Sequence, residues 1–427
     1  MIRFDSYRFD VEREPFKKPL QFKGSSFTEK WLNIVGLEAG DGLRVAAIGG
    51  NAVLWSDPNV FFAYSETGGN LAQSMAAERA VQAARGRGFA HPVEALHALF
   101  PDVHRFAAEL TARPGLSRTF TLNAMVALDL ALWKLLAAER GTERLDELIP
   151  DPYRSAFTHR QRQVARVPMV GYNTSASEIT GLMEAGHRVL KLKIGRPGDP
   201  DEMLREDQAM LERVHGLAEG SGRAAAGGGE PPLYYLDANG RYPDRATLMR
   251  LVEWLDARGM LERTVLLEEP FPPDSRESVE GIPVRVAADE SVHSLEDVRD
   301  RHALGYGAFA LKPAGKTLSF ALETASEADR LGVPCFVADS ACVPLLLEWN
   351  RVVAALLPPF PGLDTGLLES NGPQNYARWD RLQAEHPIPD APWLESRRGV
   401  FALDERFFAV SGGVFREARP QAGRASA

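Results

Sequence analysis

The sequence predicts an α/β fold, a modified TIM-type (β/α)8 barrel with an α+β capping domain. Three observations carry this reading. After residue 166 the chain alternates strand-like and helix-like runs, the pattern of a parallel sheet. The strand-like runs number eight: Val167–Tyr172, Arg188–Ile194, Leu233–Asn239, Val265–Glu269, Val284–Glu290, Ala308–Lys312, Pro334–Asp339 and Leu363–Glu369. Finally, charged residues collect at the carboxyl ends of these runs, where such a barrel places its working groups.

The first 160 residues read differently. Ile2–Val11 alternates, Trp31–Leu37 is largely apolar, and Ala39-Gly40-Asp41-Gly42 supplies a turn before Leu43–Ile48, which together predict antiparallel strands. Phe16–Lys30 reads as a polar loop between the first two strands. Helical periodicity follows over Ala72–Arg85 and Pro92–Thr111, then over Thr121–Leu136, which is apolar on nearly all sides and predicts a buried helix. Within it, Asp129 and Trp133 read as packing and hydrogen-bonding residues. Ala246–Arg258 and Leu318–Leu331 fit helical connections of the barrel, while Ala218–Pro232, rich in Gly and Ala, reads as a flexible insertion. The expected division is residues 1–160 for the cap, 161–380 for the barrel, and 381–427 for a segment returning to the cap and ending in a disordered tail.

A chain of 427 residues with a net charge of −9 excludes nucleic acid as the expected partner, because phosphate binding wants a basic face. No apolar run is long enough to cross a bilayer, and the start carries no secretory signal pattern. Cys335 and Cys342 lack metal-ligand spacing and read as buried thiols of a cytoplasmic protein. Oligomeric state is left open, a homo-oligomer included.

The chemistry centres on Val189-Leu190-Lys191-Leu192-Lys193-Ile194-Gly195. Side chains at i and i+2 of a strand share a face, so Lys191 and Lys193 enter one space and need offsetting charge. Later strand ends supply it: Asp237-Ala238-Asn239, Glu268-Glu269-Pro270 and Asp289-Glu290-Ser291, followed by Lys312-Pro313. Three carboxylates on consecutive strands suit a hard divalent cation such as Mg²⁺, with open positions for substrate. Lysines on the second and sixth strands then face each other, and a lysine acts as base once a neighbouring ammonium or cation lowers its pKa. Asn239, Asp339, Ser340 and Glu369 stand at strand ends as candidate substrate contacts. Gly315-Lys316-Thr317 fails as a phosphate loop because the glycine required earlier is Ala310, and Gly49-Gly50 lacks dinucleotide spacing.

These runs resemble the enolase superfamily, specifically its muconate lactonizing enzyme subgroup, with dipeptide epimerases and o-succinylbenzoate synthases among its members. Leu-Lys-Leu-Lys-Ile-Gly, Leu-Asp-Ala-Asn-Gly, Leu-Glu-Glu-Pro, Ala-Asp-Glu-Ser and Leu-Lys-Pro occur in that family's order, and Ala-Leu-Asp-Leu-Ala-Leu-Trp resembles its cap-to-barrel helix. The resemblance implies that Asp237, Glu268 and Asp289 bind Mg²⁺, or Mn²⁺ in its place. It implies Lys193 and Lys312 as bases on opposite faces, Lys191 as an electrostatic partner, and a lid near 16–30. The implied reaction removes a proton α to the carboxylate of a small-molecule substrate, giving a metal-stabilised enolate. Two opposed lysines suit racemisation or epimerisation of an amino-acid or dipeptide-like substrate. Dehydration of the o-succinylbenzoate type and muconate-type cycloisomerisation are the alternatives, and a non-catalytic carboxylate-binding relative or a nucleotide-dependent enzyme are readings of other classes. The chain departs from the pattern at Ala314-Gly315-Lys316-Thr317, where Gly-Gly is usual, and lacks both the cap's Gly-Trp-Gly-Glu and the eighth strand's Asp-x-Asp.

Overall fold

The computed structural model describes residues 1–22, 24–224 and 230–419. Three antiparallel strands, Ser6–Phe22, Ser25–Glu38 and Arg44–Gly50, form the cap sheet in sequence order. The first two are longer than their alternation suggests, and the expected loop at Phe16–Lys30 is instead the far end of their hairpin. Pairing resumes there with Leu20 opposite Phe27 after an irregularity past Pro15. Phe16 is buried between Phe27 and Tyr376, its ring 5.4 Å from the first and 5.1 Å from the second. Aromatic packing on a residue beyond the barrel therefore holds this arm over the barrel mouth.

Helix Pro58–Ala84, which breaks at Ser65 (φ 63°), packs against that sheet, and Pro92–Leu110 packs against that helix. The first starts well before Ala72: Asp57 caps it, accepting from Asn59 N at 3.0 Å and Val60 N at 3.2 Å, with Pro58 in the first turn. The buried helix expected over 121–136 is two, Arg118–Ala124 and Val126–Arg140, bent by 46°. At the bend Asn123 is diverted to tertiary bonds, donating to Gly50 O at 3.1 Å and Gly315 O at 3.0 Å, which ties cap to barrel. Asp129 and Trp133 pack as expected. Asp129 accepts from Leu318 N at 2.8 Å, and Trp133 Nε1 donates to Ser319 Oγ at 3.1 Å. Among the described residues no single helix is long and apolar enough to cross a membrane.

The barrel strands are Gln163–Val167 continued by Met169–Val170, then Val189–Lys193, Leu233–Asp237, Thr264–Glu268, Val286–Ala288, Ala308–Leu311, Cys335–Val337 and Gly366–Glu369. All seven later strands match their expected runs; the first begins four residues earlier than expected. It breaks at Pro168, which has no N–H for the ladder. Its first half pairs in parallel with the eighth strand (Gly366 opposite Val164), its second half with the second strand (Met169 opposite Lys191), so this one broken strand closes the ring. The hairpin Ser396–Arg397 and Val400–Ala402 fills the gap left below, pairing antiparallel with Gln163–Ala165. The end segment thus joins the barrel first and reaches the cap afterwards, where Glu417 meets Lys134 at 3.1 Å.

Helices follow most strands, but residues 269–285 between the fourth and fifth contain none. The expected insertion at Ala218–Pro232 is helical over its first part, because Pro200–Ala224 is one long helix; residues 225–229 lie outside the described residues. Residues 420–427 of the expected disordered tail do so as well. The strand period sorts side chains cleanly: Val189, Tyr235 and Leu266 fill the barrel interior, while Leu190, Leu192, Tyr234 and Leu267 face the helices. Lys191, Lys193, Asp237 and Glu268 fall on the interior parity, above that apolar floor.

Candidate active site

A cavity opens over the carboxyl ends of the strands, lined by Lys191, Lys193, Asp237, Asn239, Lys312, Asp339, Ser340 and Glu369 together with cap residues. Four of these residues, Lys191, Lys193, Asp237 and Glu369, lie on the strands themselves with the interior parity just described, and Asn239, Lys312, Asp339 and Ser340 follow directly after their strands. Glu268 and Asp289 lie beneath, 0% and 1% exposed.

Lys191 is 2% exposed and its Nζ is surrounded: Glu268 Oε2 at 2.7 Å, Asp237 Oδ2 at 2.8 Å, Glu369 Oε2 at 2.9 Å and Tyr235 OH at 3.0 Å. Burial alone would lower its pKa, but the three carboxylates overcome this and hold it well above the ordinary lysine value. The sequence reading gave this ammonium the task of depressing its neighbour. In the structure its charge is cancelled by carboxylates instead, so Lys191 acts as the counter-charge that lets three acids share a dry space. Lys193, two residues nearer the mouth and 20% exposed, bonds Asp237 Oδ2 at 2.5 Å and Asn239 Oδ1 at 2.8 Å.

On the opposite wall Lys312 Nζ sits 2.6 Å from Asp289 Oδ2 and 4.3 Å from the centre of the Trp55 ring. Its pKa does not fall as expected. Burial pulls it down, and Asp289, Glu268 and Glu290 push it further up. Lys316, set aside in the sequence as part of a failed phosphate loop, belongs to this wall. The short helix Pro313–Lys316 turns it back beneath the strand end, where Nζ donates to Asp289 O at 2.5 Å and Val292 O at 2.8 Å. Gly315 permits that turn closely, since a Cβ there would lie 3.1 Å from Lys312 Cβ.

Glu268, Asp289 and Glu290 each bring a carboxylate oxygen within 4.8 Å of the others, all three buried. Glu268 Oε1 has no hydrogen-bond partner among the described residues. Burial, then Asp237, pushes Glu268 well above the usual carboxylate range, whereas Lys312 and Lys316 outweigh burial and hold Asp289 well below it. An orphaned buried oxygen within crowded carboxylates is the electrostatic signature of a missing positive charge, and an all-oxygen donor set suits a hard divalent cation. The geometry does not group the expected ligand set in full. Asp237 has Oδ2 on both strand-two lysines and Oδ1 on Asn239 N at 3.0 Å, and Glu290 stands in the cluster in its place.

Glu369 accepts from Lys191 and from Asn371 Nδ2 at 2.8 Å. Asp339 is engaged by backbone donors, Ser340 N at 2.9 Å and Cys342 N at 3.0 Å on Oδ1 and Asn371 N at 3.3 Å on Oδ2. Asn239 donates to Glu290 Oε1 at 3.0 Å. Asn239 (φ 45°), Glu269 (φ 39°) and Ala341 (φ 54°) adopt left-handed backbone just past their strands, strain of the kind that collects at working sites. Two further cavity residues come from the cap, Trp55 and Lys30. Neither stood out in the sequence. A lysine at odds with the apolar, alternating strand around it was the available signal for Lys30.

Comparison with known proteins agrees with this fold. Residues 174–389, half of the chain, match the family model described as Enolase C-terminal domain-like. A hydrophobic dipeptide epimerase of Roseobacter litoralis is 34% identical over 135 residues, covering 31% of this chain and 33% of that protein. An L-Ala-D/L-Glu epimerase of Bacteroides thetaiotaomicron is 26% identical over 195 residues, covering 43% of this chain and 42% of that one. The matched stretches thus span less than half the length of these relatives. The crystal structure of a dipeptide epimerase from Enterococcus faecalis V583, complexed with Mg and the dipeptide L-Leu-L-Tyr, shares the fold with a TM-score of 0.62 at 16% identity, covering 95% of this chain and 98% of that one.

Proposed function

The chain belongs to the enolase superfamily, within its Enolase C-terminal domain-like family, and from that premise we propose that it racemises or epimerises a small carboxylate of amino-acid or dipeptide type. The observation that carries the reading is the pair Lys193 and Lys312, from the second and sixth strands, lining one cavity above buried carboxylates. Lys193 as the neutral amine takes the α-proton from one face and Lys312 as the ammonium delivers a proton to the other, so the configuration inverts; in the reverse direction the two exchange protonation states and roles. Asp237 and Asn239 steer the Lys193 ammonium, while Asp289 and the Trp55 face steer that of Lys312. Glu268 and Asp289 would hold a divalent cation, Mg²⁺ by preference. Bound there, it would supply charge stabilisation to the substrate carboxylate as the proton leaves. The third ligand is Asp237 by family resemblance and Glu290 by proximity. Asn239, Asp339, Ser340 and Glu369 shape the remainder of the cavity and orient the substrate.

The activities of the two relatives, both epimerisations, support this choice over dehydration or cycloisomerisation. The experiment is α-deuterium incorporation followed by NMR in D₂O with MgCl₂, across N-acyl amino acids and dipeptides. Wild type should incorporate deuterium with inversion, and Lys193→Ala should not. Full incorporation by that variant would remove the assignment. Calorimetric Mg²⁺ titration of Asp237→Asn and Glu290→Gln identifies the third ligand as the one whose loss weakens binding more.

A further inference from the structure

We propose that Lys30, delivered into the cavity by the cap, binds a second anionic group of the substrate, so that the substrate class is a dianion. This deepens the reading above and rests on it for the reaction, though not for the binding. Lys30 lies on the second cap strand, is 1% exposed, and lines the same cavity as Lys193 and Lys312. Among the described residues its ammonium makes one hydrogen bond, to Ser340 O at 2.6 Å, and has no carboxylate within ion-pair distance. Every other lysine of the site has one: Lys191 has three, Lys193 has Asp237, and Lys312 and Lys316 share Asp289. A buried ammonium with two donors unused is costly unless something anionic arrives. Burial accordingly draws its pKa down to about 8.

The chain makes room for this group deliberately. A Cβ at Gly50 would sit 2.4 Å from Lys30 Cε, so any larger residue there would push the lysine out of its present path. That explains the glycine pair that had no nucleotide role: Gly49 admits the helix, a Cβ there falling 2.6 Å from Ala127 N, and Gly50 admits the lysine. The acid nearest in charge terms, Asp339, cannot answer it, because both its oxygens are held by backbone N–H groups. Glu369 is likewise held by Lys191 and Asn371. This end of the cavity therefore offers a cation and no uncommitted carboxylate, which favours an anion over the free amino terminus of a dipeptide. Leu20, Phe27, Val53, Leu54 and Phe61 line the way to it and suit an alkyl stem.

The test compares three probes by calorimetry with MgCl₂ present: N-succinyl-L-leucine, N-acetyl-L-glutamate and N-acetyl-L-leucine. The first two carry a second carboxylate on the acyl chain or on the side chain, and the third carries none. At least one dianion should bind about ten-fold or more tighter than the monoanion, the size of one charge-assisted hydrogen bond, and which one does so locates the second carboxylate. Lys30→Met, which keeps the length and removes the charge, should erase the margin. Gly50→Ala, which displaces the lysine without altering it, should reduce it as well. No margin in wild type, or a margin surviving in both variants, overturns the proposal. Deuterium incorporation measured alongside separates the two readings: a margin without exchange sinks the racemase and keeps the lysine's role, and exchange without a margin does the reverse.

Discussion

The two walls of the cavity are built from the same parts and arrive at opposite electrostatics. Each carries an outer lysine at the mouth and an inner lysine below it, Lys193 over Lys191 on one side and Lys312 over Lys316 on the other. The inner pair differs in what receives its protons. Lys191 faces three carboxylates and is held well above the ordinary value; Lys316 faces two backbone carbonyls and one carboxylate, Asp289 at 3.4 Å, which it shares with Lys312, so burial prevails and its pKa falls. Equal charge at equal depth is thus stabilised by three close ion pairs on one wall and mainly by backbone dipoles, with one longer ion pair, on the other. The difference teaches that the inner lysines are structural counter-charges of unequal strength, while the outer ones are positioned for proton transfer.

The largest effect expected from this comparison is catalytic. Lys193→Met and Lys312→Met should each lower racemisation roughly 10²–10⁴-fold, the usual worth of a positioned acid or base. Exchange with solvent should fail for one enantiomer in the first variant and for the other enantiomer in the second. Loss of the same enantiomer's exchange in both would break the assignment of opposite faces.

Next comes stability. Lys191→Met leaves Asp237, Glu268 and Glu369 without their shared counter-ion and should cost about 3–5 kcal/mol in urea unfolding without added cation. Lys316→Met strands two carbonyls but leaves Asp289 paired with Lys312 at 2.6 Å, and should cost only about 1–3 kcal/mol. A reversed order would show that the carbonyl-held lysine matters more and that the contrast between the walls is mistaken. Smaller again is Tyr235→Phe, which removes the hydroxyl that bonds Glu268 and contacts Lys191, expected at about 1 kcal/mol.

How much of this was legible in the sequence follows from the range of the interactions concerned. The barrel strands were, because period-two patterning and charged ends are local, and the runs at Val189–Lys193 and Leu233–Asp237 carry both. Lys191 and Lys193 followed from parity, and Asp237, Glu268, Asp289 and Lys312 from their places at strand ends, while the roles given to them came from the family resemblance. Lys316 did not, since its place depends on a short helix that reverses the chain after Lys312. Lys30 did not either, because its direction depends on a hairpin arm longer than its alternation shows and on a gap at Gly50, twenty residues away. The start of the helix Pro58–Ala84 was hidden by a kink at Ser65, where the backbone turns left-handed and the helical pattern is interrupted, although Asp57-Pro58 was a readable cap. Asp237 and Glu290 exchange places in the carboxylate cluster for a similar reason. Which acid Lys191 and Lys193 engage is decided across strands, not along one.

The smallest effect separates the walls from the remainder of the barrel by pH. Burial holds His187 down at about 4, with Arg166 adding to it, against an ordinary 6.5. Between those values the unfolded chain binds a proton that the folded chain refuses, so stability from this group is complete above about pH 6.5 and is lost as pH falls toward 4. His91, also drawn to about 4 by burial, acts in the same window and in the same sense. The carboxylates of the two walls enter lower: Asp237 and Asp289 are held below 3.8 by their lysines against the opposing pull of burial, so their contribution persists until pH drops through that value. His187→Gln should therefore flatten the fall of the melting temperature between pH 6.5 and pH 4, whereas Lys316→Met should lower the whole curve and leave that slope intact. A slope that flattens in Lys316→Met and not in His187→Gln would place the acid response on the walls themselves, and the division between counter-charge and packing would have to be redrawn.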